Sequence, residues 1–172
     1  MRLFQSKTLH PEARIMITIR SATSADTDAI ARFNLAMALE TEDKHLDAAV
    51  LHRGVTRMQA SPELGFYLVA CRDDDVVGCL GVTFEWSDWR SGLFWWIQSV
   101  YVDPDHRGQG AFSGLFAETH RLAMAADEVI GIRLYAEREN ERALRTYHRL
   151  GMHTTDYRLL EIALPIDPAA PA

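Results

Sequence analysis

The sequence predicts a mixed α/β domain with a mostly antiparallel central sheet flanked by helices. Strand-like apolar runs follow one another from Gly65 to Val102 with only short polar breaks, so these strands pair antiparallel. Helical patterns stand before and after that block and interrupt only some strand pairs, which excludes a purely parallel sheet. A length of 172 residues, 48% hydrophobic and 24% charged, describes one ordinary globular domain with a substantial core.

The elements follow in order. "IMITIR" (15–20) is a short β-branched strand. "SATSAD" offers Ser24 or Asp26 as a cap for a helix over Thr27–Glu40, whose apolar surface is Ile30, Phe33, Leu35, Met37 and Leu39. The acidic loop "ETEDKH" leads to a second helix over Leu46–Ala60, stopped by Ser61-Pro62. "GFYLVACR" and "DVVGCLGVTFEW" are strands joined at Asp73–Asp75. "LFWWIQSVYV" is apolar almost throughout, the pattern of a central strand covered on both faces. A helix to about Ala126 then turns Phe112, Leu115, Phe116, Thr119, Leu122 and Ala123 inward. "VIGIRLYAE" is a strand, Asn140–Leu150 a helix, and "MHTTDYRLLEIAL" a final strand. The expected domain spans 16–164, with a loosely attached extension over 1–15 and a Pro/Ala-rich tail over 165–172.

Bulk charge and cysteine usage narrow the function. Eighteen Lys and Arg against 24 Asp and Glu give a net charge of −6, which argues against a broad nucleic-acid surface. No apolar run approaches the roughly 18–20 residues of a membrane span, and "MRLFQSKTLHPEAR" lacks the apolar core of a secretion signal. Cys71 and Cys79 fall on neighbouring strands, where a disulfide is conceivable; two free thiols in a cytoplasmic protein are the preferred expectation. Neither cysteine nor any of the seven histidines has metal-ligand spacing, so no metal is expected.

The stretch "VYVDPDHRGQGAFSGLF" (100–116) carries the chemistry. A strand breaks at Asp103-Pro104, passes through Arg107-Gly108-Gln109-Gly110 and becomes helical. A helix N-terminus offers unpaired N–H groups and partial positive charge to an anion, glycines let the backbone approach it, and an arginine adds a charge-assisted contact. The same glycines also serve a plain tight turn. No Lys-Ser or Lys-Thr follows, so this is not a nucleotide-hydrolase P-loop. Gly114 is one residue too far from Gly110 for a dinucleotide fingerprint, and the segment does not open a βαβ unit.

Arg107-Gly108-Gln109-Gly110-Ala111-Phe112, after "VYVDP", resembles the acyl-CoA-binding motif of the Gcn5-related N-acetyltransferase (GNAT) family, Arg/Gln-x-x-Gly-x-Gly/Ala. Phe112 departs from the usual small residue. "NERALRTYHRLGM" is similar to the family's later signature at Asn140, Ala143, Tyr147 and Gly151, with Met152 in place of an aromatic residue. Helical spacing puts Asn140, Ala143 and Tyr147 on one face, and Gly151 where a helix needs a left-handed exit. The resemblance covers about 15–164 and implies the family's fold.

It implies acetyl-CoA as cosubstrate and direct transfer to an amine without a covalent enzyme intermediate. Amides of Gln109 to Ser113 would hold the pyrophosphate, with Gly110, Ala111 and Phe112 between them. Backbone groups of Val100, Tyr101 and Val102 would line the acyl-pantetheine arm, together with Asn140 and Ala143. Tyr147, with an ordinary pKa of about 10, would protonate the leaving thiolate. The family's strand carboxylate has no counterpart in "WWIQSVYV": Gln98 orients a water or substrate, and Glu85 is a base through water or a surface glutamate.

Glu40 and Glu42, with Asp43 and Asp47, make one acidic wall, and Trp86 and Trp96 an aromatic one. Together they point to a small cationic amine acceptor; a solvated loop and core tryptophans are the plain alternative. Competing functions are a non-catalytic acyl-CoA sensor, a protein or peptide N-acetyltransferase, and a transferase using a longer acyl chain or a hydroxyl acceptor. A homodimer is the family-based expectation for assembly.

Overall fold

A computed structural model describes residues 16–162 and Leu164; the extension and tail expected over 1–15 and 165–172 lie outside the described residues. Strand β1 (Ile17–Ser21) leads through a short 3-10 turn into helix α1 (Thr27–Glu42), followed by α2 (Ala48–Ala60). Three long strands come next: β2 (Gly65–Arg72), β3 (Asp75–Ser87) and β4 (Gly92–Val102). Helix α3 (Ala111–Ala125), strand β5 (Val129–Leu134) and helix α4 (Glu141–Arg149) complete the order. The five strands form one sheet in sequence order, antiparallel from β1 to β4, with β5 parallel to β4. The fold is therefore the expected mixed, mostly antiparallel sheet flanked by helices.

Local chemistry explains the boundaries. Asp47 caps α2 by accepting from the N–H groups of Ala49 and Val50 at 2.8 and 2.9 Å. Two apolar layers cover the sheet. Leu115, Phe116 and Ala123 of α3 pack with Leu68, Leu80, Val82, Trp95 and Ile97 on one face. Ile30 and Phe33 of α1 and Val55 of α2 pack with Tyr67, Val69, Cys79 and Tyr101 on the other. Of the residues expected inward on α1, Leu39 is exposed, and Ala38 takes the buried place the helical period requires. Cys71 and Cys79 are buried free thiols, and burial pushes the Cys79 thiol up to about 12.

Two expectations differ. β4 is central, but its Phe94 and Trp96 side is only half covered, because α1 and α2 reach just part of that sheet face. The final strand expected from Met152 does not form over 152–162. The second edge of β5 is therefore unpaired among the described residues. Tyr157, Leu159, Leu160 and Ile162 consequently stand exposed.

An ion pair between the exposed Arg20 and the buried Asp26 anchors β1 to the start of α1. Asp26 is 4% exposed. Its carboxylate accepts from Arg20 at 2.7 and 2.8 Å, from the Thr23 N–H at 2.7 Å and from the Thr23 hydroxyl at 3.0 Å. These bonds, Arg20 first, hold the Asp26 carboxyl at about 2. Against an unfolded value near 4, this contributes on the order of 2 kcal/mol, present above about pH 4 and lost as pH falls toward 2. Asp26→Asn is expected to lower unfolding free energy at pH 7 by about 2–3 kcal/mol and to flatten the acid limb of the stability curve. A variant whose acid limb matches wild type in urea titrations would contradict this assignment.

Candidate active site

The pairing of β4 with β5 runs from Leu93 opposite Val129 to Ile97 opposite Leu134 and ends there, although β4 continues to Val102. A bulge against β3 falls at the same level. Gly81 pairs with Ser99 and Val82 with Ile97, which leaves Gln98 as the extra residue. β5 ends at Leu134, so the β5-facing side of Gln98–Val102 has no strand partner among the described residues. Val100 and Val102 lean on the α3-side core, while Tyr101 is buried on the α1 side.

The mouth of α3 stands at the end of β4. Asp103 accepts from the Asp105 N–H at 3.0 Å and starts a single 3-10 turn over Pro104–His106. Gly108 and Gly110 then adopt φ of +76° and +93°, a region that disfavours other side chains. A Cβ at either would meet nothing within 4 Å, so they serve the backbone conformation and leave the mouth clear. No side chain caps α3, so its first-turn amides are free to receive an anion. Ser113 is exposed in that turn, and Ala111 is buried behind it. The Gln109 amide donates to the Asp105 carbonyl at 3.1 Å and braces the loop. This donor set fits a pyrophosphate.

Helix α4 follows the expected chemistry. Asn140 caps it by accepting from the Ala143 N–H at 3.0 Å, and Gly151 makes the left-handed exit at φ +88°. Tyr147 is half-buried, and burial pushes its phenol above the ordinary value of about 10. Its ring meets Phe112 edge-on at 6.0 Å, and Phe112 in turn touches Phe116 at 6.3 Å. The unusual Phe112 therefore joins α3 to α4, and Met152 packs on the same core.

The acceptor-side residues are distributed more widely. Gln98 is exposed and accepts from the Thr83 hydroxyl at 3.4 Å. Both oxygens of Glu85 are engaged, one by Arg133 at 2.9 Å and the other by the Trp96 indole. Trp96 stacks on Tyr135 at 4.4 Å, and the Arg133 guanidinium lies 3.5 Å from the Phe94 ring centre. Trp86 is 55% exposed and borders a cavity of about 310 Å³ with Glu85, Phe94, Arg133 and Tyr157. Glu42 pairs with Lys44 at the surface, and Glu40 pairs with Arg107. The structure thus brings Glu85 and Trp96 together, turns Trp86 to the opposite sheet face with Phe84 and Leu93, and sets Glu40 and Glu42 at the end of α1. Arg133 and Tyr135 were missed in the sequence; their alternation with the core residues Ile132 and Leu134 was the available signal.

The acetyltransferase (GNAT) family model matches residues 32–152. The chain belongs to the GNAT acetyltransferase family. A possible acetyltransferase from Clostridium difficile 630 is 43% identical, with a TM-score of 0.82, covering 87% of this chain and 99% of that one. The aminoglycoside N-acetyltransferase AAC(6')-Iy in complex with CoA shares the fold at 13% identity and a TM-score of 0.73, covering 90% and 99%. An aminoglycoside acetyltransferase from an uncultured soil metagenomic sample, in complex with sisomicin, does so at 16% identity and 0.65, covering 88% and 97%. No curated protein matches the chain. No helix among the described residues is long and apolar enough to cross a membrane, and no group of three or more His, Cys, Asp or Glu residues among them is placed to hold a metal ion.

Proposed function

We propose that this GNAT protein is an N-acetyltransferase that moves the acetyl group of acetyl-CoA directly to a primary amine of a small, cationic acceptor. The observation that carries the reading is the uncapped, glycine-shaped mouth of α3 at the end of β4, where β4 runs on past β5, with Tyr147 packed on the helix's first turn.

Acetyl-CoA supplies an activated thioester; the protein binds, orients and moves protons. Amides of Gln109–Ser113 hold the pyrophosphate, and backbone groups of Val100 and Val102 align the pantetheine arm and polarise the carbonyl. Asn140 and Ala143 border that arm. Tyr147 gives its phenolic proton to the departing sulfur as the C–S bond breaks and the C–N bond forms. With both Glu85 oxygens engaged, the amine proton leaves through water ordered by Gln98, and the Glu85 carboxylate favours the positive charge that builds on the attacking nitrogen.

The stacked Trp96 and Tyr135 beside Glu85 support a cationic amine, as do the aminoglycoside acetyltransferases that share the fold. The free buried thiols support a cytoplasmic protein. The exposed apolar side chains over 157–162, and a β5 edge unpaired among the described residues, support a homodimer.

Calorimetric titration with acetyl-CoA, against ADP and adenosine 3′,5′-bisphosphate, tests the reading. Specific binding and about 2.7 kcal/mol of added stability at 100 times Kd are expected. Folded protein that does not bind acetyl-CoA, or that binds it and releases no thiol across an amine panel, would overturn the enzyme. Light scattering on the same sample reads the dimer; a mass of 19.4 kDa would exclude it.

A further inference from the structure

Arg107 opens the glycine motif, where a contact to the bound anion is the sequence expectation. In the structure its guanidinium is engaged elsewhere. Nη1 and Nη2 donate to the two oxygens of Glu40, each at 2.7 Å, and Nε donates to the Val102 carbonyl at 2.9 Å. The buried Tyr101 gives its hydroxyl to the same carboxylate at 3.1 Å, and its ring lies 5.3 Å from the guanidinium carbon. A fork-to-fork pair of this kind fixes direction as well as distance. It ties three segments together: the C-terminal turn of α1, the end of β4, and the loop that delivers Gly108 and Gly110.

We propose that Glu40 is a positioning residue for acyl-CoA recognition. It holds Arg107 on the Val102 carbonyl and so sets the glycine loop, and Arg107 is a latch between α1 and that loop, not a phosphate ligand. The proposal rests on the reading of the α3 mouth as the pyrophosphate site. Two features make the latch necessary. Gly108 and Gly110 have no side chains to anchor the loop, and the Gln109 bond to Asp105 stays within it. Because the pair is partly exposed, its loss changes loop placement more than global stability.

Glu40→Gln keeps the shape and the Tyr101 bond but removes the charge. Its Kd for acetyl-CoA, measured by calorimetry, is expected to rise about 5- to 10-fold, the range of one charge-assisted contact. Its Tm is expected to stay within about 2 °C of wild type. Hydrogen exchange at the amides of residues 105–110 is expected to accelerate without any ligand. Arg107→Met is expected to lose the same affinity, and the double variant no more than either single, because the two residues act as one unit. A Glu40→Gln variant that binds acetyl-CoA as well as or better than wild type would show Arg107 released onto phosphate and overturn the proposal; multiplied losses in the double variant would also overturn it. Wild-type protein that fails to bind acetyl-CoA overturns the functional reading and the latch with it, whereas wild-type binding with an indifferent Glu40→Gln variant overturns the latch alone.

Discussion

Tyr147→Phe is expected to lower kcat by about 10²- to 10³-fold, the range of a positioned general acid, and to leave the Kd of acetyl-CoA within about twofold. The phenol is half-buried, and burial raises its pKa, so it keeps its proton throughout the neutral range and can give it to a leaving thiolate. The ring is held edge-on by Phe112, a contact that Phe at position 147 keeps. The substitution therefore removes the proton and preserves the packing, so a fall in kcat reports chemistry. Stopped-flow release of CoA thiol with an accepted amine would read it. Unchanged turnover would take Tyr147 out of the mechanism and leave water as the proton donor.

The antiparallel block of β2, β3 and β4 and the glycine mouth were legible in the sequence because each rests on local rules. The β2, β3 and β4 boundaries follow from alternation and short turns, and Gly108, Gly110 and Gly151 all take the positive φ that their positions suggest. What was not legible depends on contacts between distant segments. Arg107 reads as an anion ligand from its motif, yet its partner is Glu40, brought in by α1. Glu85 reads as a base through water or a surface glutamate, yet Arg133 from β5 and Trp96 from β4 occupy both of its oxygens. Phe112 reads as a disturbance of the motif, yet it is the contact that places Tyr147. The apolar pattern after Met152 reads as a strand, but pattern sets only the tendency, and an edge must receive it. Ion-pair partners and strand edges are tertiary facts, and a single sequence does not contain their pairing.

The glycine mouth itself yields the second large effect, and the test separates a cradle from a plain turn. Gly110→Ala puts a Cβ where the fold offers no collision, so the cost to folding is the strain of φ +93°, about 1–2 kcal/mol. For a ligand the same Cβ stands at the helix mouth, and any relaxation of φ turns the first-turn amides away from it. Losing one such donor to an anion costs about 2–3 kcal/mol, so acetyl-CoA is expected to bind about 30- to 150-fold more weakly. Gly151→Ala is the matched control. It carries φ +88° at a helix end, its Cβ also meets nothing within 4 Å, and it lies at the exit of α4 instead of the mouth of α3. Both variants are expected to lose similar stability in urea unfolding, and only Gly110→Ala to lose acetyl-CoA in calorimetry. Equal stability losses with equal, small affinity losses would mean that the glycines shape a turn and nothing more. A selective loss at Gly110 would mean that the backbone there touches the phosphates.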